Sequence, residues 1–426
     1  MKTRFPKPIR KVLKNGIRVV AVPMLGNPTV TVMVLVEAGS RYENKKENGI
    51  SHFLEHMCFK GTHKRPSSKI ISHEFDALGA ENNAFTGEEQ TGYWAKARTK
   101  HFDHVLAIVA DLYQDPLLPE KELEKERGVI IQEINMYEDL PQRRVHELLD
   151  EVLYGNQAAG RSIGGPKENI LRFSRADFVT YRNTHYTGAK TAVIVAGGIS
   201  QKDIFKKVTA AFTSVSKGSR AQRPHTKEAQ KRPKIIHKHK KTDQTHFIVG
   251  FRGYKLGDER EASTRVLASV LGQGMSSRLF HLLREEMGVC YYVRAGSESM
   301  TDTGVFKISS GVDTKRLSEV IEAIMGEIRT IRKNLVSPEE LAKAKEILIG
   351  RIVMGLESSD DMATWYSDEI LHQPLKTPEE IIVEIKKVTP KMVQAIARDV
   401  FANKKLNIAY IGPRDATKQL KKIARI

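Results

Sequence analysis

The two halves of this chain follow the same plan, so the chain must fold as two copies of one kind of domain. A helix with a charged start opens at Leu118-Pro119-Glu120-Lys121-Glu122-Leu123 in the first half and at Ser337-Pro338-Glu339-Glu340-Leu341 in the second. A helix over 176–183 leads into an apolar run at 192–198, and a helix over 390–401 leads into a similar run at 407–412. Each half also begins with a strand, at 30–37 and at 246–251, followed by a helix. The repeat is about 210 residues, too long for a solenoid, so it is a domain duplication. Strands and helices recur in both halves, which predicts an α+β class. The expected architecture is two homologous α/β-sandwich domains, each a mostly antiparallel sheet packed against helices. Polar, basic residues from Ser214 to Lys234 contain few large apolar side chains and read as a linker. The expected division is 1–215, a linker at 216–240, and 241–426.

Composition excludes several classes. Of the 426 residues, 40% are hydrophobic and 28% charged, as in soluble globular proteins. No apolar run approaches the roughly 18 residues of a membrane-spanning helix. The basic N-terminal stretch lacks the apolar core of a secretory signal and reads as the approach to a strand at 16–22. Cys58 and Cys290 make no disulfide framework, and a reducing cytoplasm is expected. The net charge is +18, but residues 217–241 hold ten Lys/Arg and one Glu, a net of +9. Residues 41–151 hold fifteen Lys/Arg and twenty-one Asp/Glu, a net of −6. A basic run in a linker is ordinarily solvated, so neither nucleic acid nor membrane is an expected partner.

The chemistry concentrates in Gly49-Ile50-Ser51-His52-Phe53-Leu54-Glu55-His56-Met57-Cys58-Phe59-Lys60-Gly61. Phe53, Leu54, Met57 and Phe59 follow a helical pattern, with Ser51 as the expected N-cap. His52 and His56 are four apart, so both imidazoles leave one face and can reach one zinc ion. Glu55 shares that side and can act on water rather than on metal. The pattern H-x-x-E-H is the inverse of H-E-x-x-H. A catalytic zinc takes about three protein ligands and keeps one position open. Glu126 and Glu133 lie two turns apart on one face of a charged helix, so one can ligate while the other supports a ligand. Aligning the two halves places Ser263, Val266 and Leu267 opposite His52, Glu55 and His56, and Ala344 and Arg351 opposite Glu126 and Glu133. One copy therefore carries the metal chemistry and the other does not.

On these residues the chain resembles the pitrilysin/insulinase-type zinc metallopeptidases, including mitochondrial processing peptidase and its bacterial relatives. The resemblance spans essentially the whole chain. It rests on H-x-x-E-H, on a Glu 77 residues after the second His (133 − 56 = 77), on Asn83-Ala84-Phe85-Thr86, and on Arg284-Glu285-Glu286-Met287-Gly288-Val289-Cys290-Tyr291. Gln157-Ala158-Ala159-Gly160-Arg161 departs from the His-Pro-Leu-Gly run usual there. The resemblance implies one zinc per chain on His52, His56 and Glu133, with Glu126 supporting a ligand. It implies that Glu55 is the general base toward metal-activated water, and that the Asn83–Thr86 strand, with Ala84 and Phe85, is an edge on which peptide adds. It assigns Arg284 and Tyr291 to substrate holding and oxyanion stabilisation. A homodimer, or a heterodimer with a related subunit, is the implied assembly. The expected activity is that of an endopeptidase or oligopeptidase cutting extended peptides. The rivals are a non-catalytic subunit of a heteromeric processing peptidase and a basic nucleic-acid-binding protein. Intact His52, Glu55, His56 and Glu133 argue against the first; the lack of any nucleic-acid-reading motif argues against the second.

Overall fold

A computed structural model describes residues 5–220, 223–371 and 375–426. Two sheets form. The first contains β1 (Ile9–Val12), β2 (Arg18–Pro23), β3 (Thr29–Val36), β4 (Glu81–Thr86), β5 (Thr91–Arg98) and β6 (Thr191–Gly197), in the order β1-β2-β6-β3-β5-β4. The second contains β7 (Lys234–His239), β8 (Gln244–Arg252), β9 (Cys290–Ser299), β10 (Gly304–Asp313) and β11 (Leu406–Gly412), in the order β7-β11-β8-β10-β9. The orders match strand for strand once β1 is set aside. In each sheet a single pair is parallel, β2 with β6 and β7 with β11, and every other pair is antiparallel. The duplication and the α+β class expected from sequence are present.

Central strands are apolar on both faces because both faces are covered. β6 is buried throughout, and β3 is buried from Val30 onward. Helix α1 (Ile50–Cys58), α2 (Ser68–Leu78) and α3 (Phe102–Gln114) follow in the first half. Then comes the long α4 (Glu120–Asp139), and after it α5 (Pro141–Tyr154).

The compact units are not continuous in sequence. One holds the chain up to Ile134, Ser162–Pro224 and Val353–Thr377; the other holds Asn135–Arg161, His225–Ile352 and Pro378–Ile426. Two segments thus change places relative to a linear division at 215 and 241. Val145, Leu148, Leu149 and Leu153 of α5 join Ile248, Ala409 and Ile411 in the core of the second unit. Gly250 makes room there, since a Cβ would lie 2.7 Å from Leu149 Cδ1. In the first unit, Ser359 Oγ lies 2.9 Å from both Thr29 Oγ1 and Thr31 Oγ1 on β3. An amphipathic helix announces that one face is buried but not which sheet will cover it.

The expected linker is largely engaged. Its end forms β7, masked in the sequence by alternating Lys and His. Arg220 and Arg223 pair with Glu37 and Glu89, and Lys238 and Lys240 pair with Glu138 and Asp139. Four of the ten Lys/Arg of the basic run are therefore paired with carboxylates of the chain. Among the described residues no helix is long and apolar enough to cross a membrane.

One buried pair ties stability to pH. Lys190 Nζ donates to His185 Nδ1 at 3.1 Å, and the His185 ring stacks on Tyr181 with centroids 4.3 Å apart. Burial, reinforced by Lys190, pushes the His185 imidazole down to about 4. Its folded value lies below its unfolded one, so its contribution is complete above pH about 6.5 and lost as pH falls toward 4. Between pH 7 and 5, His185→Gln should lose roughly 1–2 kcal/mol less stability than the unmodified chain in urea titrations. Parallel losses would show that His185 does not carry this dependence.

Candidate active site

The nine residues of α1 are held by one apolar side. Phe53, Leu54, Met57 and Cys58 are fully buried, and Phe53 meets the Phe178 ring edge-on at 4.9 Å. The opposite side carries His52, Glu55 and His56. Ser51 is not the N-cap expected from sequence. That position falls to Gly49, at φ 101°, and Ser51 sits inside the first turn with its hydroxyl 2.7 Å from Tyr181 OH.

Helix α4 brings its carboxylates to the same place. Glu133 Oε2 lies 3.7 Å from His52 Nε2 and 3.5 Å from His56 Nε2. These separations exceed a hydrogen bond. They resemble the spacing of donors around a tetrahedral zinc, about 3.3 Å apart for bonds of roughly 2.0–2.1 Å. The three donor atoms lie within 4.8 Å of one another. Among the described residues no other such group of three or more occurs. His52 Nδ1 is buried without a protein partner, and Nε2 is the atom that faces Glu133. The donor set, two imidazoles and one carboxylate, fits zinc.

Around these donors the polar contacts are specific. Glu126 is 7% exposed; its Oε1 is 2.8 Å from His56 Nδ1 and its Oε2 is 2.6 Å from Lys60 Nζ. A carboxylate on Nδ1 leaves Nε2 of His56 as the atom facing Glu133. Glu55 accepts a 2.5 Å hydrogen bond from Thr86 Oγ1, at the end of β4. Burial raises the Glu55 carboxyl above the usual carboxylate range, against the pull of Thr86 and His56. Burial, then the neighbouring His56, lowers His52 to about 4, so its imidazole stays neutral and able to ligate near pH 7. His56 also feels burial, but the Glu126 bond and the charges of Glu55, Glu126 and Glu133 outweigh it and raise its value. The bonds of Lys60 and Thr86 are absent from the sequence reading. Lys60 stands four residues after His56, the one available cue.

Among the described residues, strand β4 is an edge of its sheet and pairs only with β5. Asn83 is exposed, with Ala84, Phe85 and Thr86 half-buried. Asn83 Oδ1 accepts from Ala84 N at 2.9 Å, and the Phe85 ring lies over Gly92, where a Cβ would sit 2.5 Å from it. Arg284 and Tyr291 belong to the second unit. Arg284 stands in a π-type turn, His281–Glu286, and Tyr291 lies near the start of β9. Arg284 Nη1 donates to the Tyr291 carbonyl at 2.6 Å, and its guanidinium lies 4.8 Å from the ring centroid. The Tyr291 side chain is 78% exposed. In the second copy the positions opposite the metal set are packed shut: Ser263, Val266, Leu267 and Ala344 are buried. Arg351 bonds Gln273 Oε1 at 2.7 Å.

Fold and site together define a class, a duplicated α+β chain with a single H-x-x-E-H motif whose two histidines meet Glu133 in a group that could hold a metal ion. Residues 18–167 match the family described as insulinase (peptidase family M16), and residues 172–348 match the peptidase M16 inactive domain. An uncharacterized zinc protease of Bacillus subtilis is 36% identical over 401 residues, covering 92% of this chain and 95% of that protein. The mitochondrial-processing peptidase subunit beta of Rattus norvegicus is 32% identical, covering 94% of this chain and 83% of that protein. The crystal structure of a protease from Helicobacter pylori superposes with a TM-score of 0.89 at 22% identity, covering 96% of this chain and 100% of that one. The chain belongs to the insulinase family of peptidases, family M16. The names of its relatives support a protease function broadly.

Proposed function

We propose that this chain is a zinc-dependent endopeptidase or oligopeptidase acting on extended peptides. The carrying observation is the convergence of His52 Nε2, His56 Nε2 and Glu133 Oε2 at 3.5–3.7 Å, with Glu55 beside them on α1. His52, His56 and Glu133 would hold one zinc per chain, and Glu126 would fix the His56 ring. Zinc, when bound, supplies Lewis acidity toward water and the scissile carbonyl. Glu55 accepts the proton of the attacking water and returns it to the leaving amine. Its raised proton affinity and the Thr86 bond suit it to that exchange. The open edge of β4 takes substrate as an added strand, which reads backbone more than side chains. Two free thiols, Cys58 and Cys290, are compatible with a reducing compartment, the cytoplasm. A mixed library of unstructured peptides should be cut by zinc-loaded protein and spared after chelation. No cleavage by the loaded protein would favour a non-catalytic subunit.

The metal donors stand in one unit and Arg284 and Tyr291 in the other. A homodimer with sites shared between two copies, or a pairing with a related chain, is the assembly we favour. Arg284 and Tyr291 of one copy would then hold substrate and steady the oxyanion at the metal of the next. Mixing Glu55→Gln chains with Arg284→Ala/Tyr291→Phe chains should restore part of the activity that each lacks alone. No recovery despite demonstrated subunit exchange would show that sites are not shared.

A further inference from the structure

The metal-bearing helix has an anchor that the proposed chemistry does not use. Its first turn starts at Gly49, which has no side chain to cap the free N–H groups of a helix start. No other residue fits there. The φ is 101°, and a Cβ would lie 2.8 Å from the Gly164 carbonyl oxygen. The cap must come from elsewhere, and Glu43 supplies it. Its Oε2 accepts from Gly49 N at 2.8 Å and Asn48 Nδ2 at 3.0 Å, and its Oε1 accepts from Ser51 N at 2.9 Å. Glu43 is 3% exposed, and among the described residues no Lys or Arg pairs with it.

A carboxylate buried without a counter-ion is costly. Three other helix starts, at Ser67, Ser174 and Ser200, are capped by a hydroxyl. The costly solution occurs at the helix whose next residue, after Ser51, is His52. The anchor continues outward. Asn48 Nδ2 also donates to the Ser162 carbonyl at 2.9 Å, and Asn169 Nδ2 donates to the Asn48 carbonyl at 2.9 Å.

We propose that Glu43 is a positioning residue for the metal site, resting on the zinc reading above. It clamps the 49–51 turn, fixes where α1 begins, and so fixes the direction in which the His52 imidazole leaves the helix. Removing Glu43 therefore weakens metal binding.

Zinc affinity, measured by competition with a chromophoric chelator on full-length protein, tests this apart from activity. Glu43→Gln keeps the shape but sets an NH2 group against an N–H donor. It should weaken zinc by about tenfold or more. Asn48→Ala removes one of the three donors and should weaken zinc by about threefold; it carries the test if Glu43→Gln does not fold. Ile204→Ala, a cavity in the same core on helix Gln201–Ala211, lowers stability without touching α1 and should leave affinity within about twofold. Unchanged affinity in a folded Glu43→Gln chain, or in Asn48→Ala, overturns the role. Equal weakening in Ile204→Ala overturns it too, by reducing the effect to general stability. An unmodified chain that binds no zinc overturns the metal reading itself, which is a distinguishable result.

Discussion

Glu55→Gln is expected to keep its zinc and lose its turnover, with kcat falling roughly a hundred- to ten-thousandfold. Glutamine has nearly the same volume and can still accept the Thr86 hydroxyl, which sits 2.5 Å from the carboxylate. What it cannot do is take a proton. Glu55 is not among the three atoms that converge on one point, so its loss should leave the metal in place. KM should change little, because the open edge of β4 is untouched. A variant that binds zinc and turns over at the normal rate would remove Glu55 from the role of base. A variant that loses zinc would make it a ligand instead.

Replacing a metal donor is expected to act differently. His56→Ala and Glu133→Ala should lose bound zinc and, with it, activity down to background. Glu126→Gln should be milder, weakening zinc by roughly 10- to 100-fold, because Glu126 touches His56 and not the point of convergence. The thermal behaviour should divide in the same way. Added zinc stabilises only chains that bind it in the folded state, so the melting temperature should rise with zinc for the unmodified chain and for Glu55→Gln. It should stay flat for Glu133→Ala. A Glu133→Ala chain that binds zinc with normal affinity would make another carboxylate the third donor, Glu126 being the nearest candidate.

The centre of this site could be read from spacing because a helix is regular. Two histidines four apart share a face, and two glutamates seven apart share another, whatever the surroundings. The duplication was legible for the same reason: equivalent strands and helices recur in order, and the two sheets repeat one strand order. What stayed hidden depends on contacts across long stretches of chain. Ser51 looks like a cap because serine is a favoured N-cap residue, yet Glu43 reaches the turn from outside the motif. Lys60 and Thr86 carry no pattern of their own; they matter through where Glu126 and Glu55 end up. β7 reads as a solvated basic run because four of its six residues are Lys or His and none of the six is fully buried. It became a strand only by pairing with β11, far along the chain. Equally hidden is the exchange by which α5 and the 353–377 segment cover sheets that a linear division would not assign to them.

In the proposed function His52, His56 and Glu133 hold one zinc, and peptide cleavage depends on it. The direct measurement is a titration of metal-free protein with zinc, reading bound metal and cleavage of an unstructured peptide in the same samples. Activity should rise in proportion to bound zinc and level off at one equivalent per chain, with no rise in the Glu133→Ala chain. Full cleavage before any zinc is added, or a plateau reached without the three donors, would contradict it.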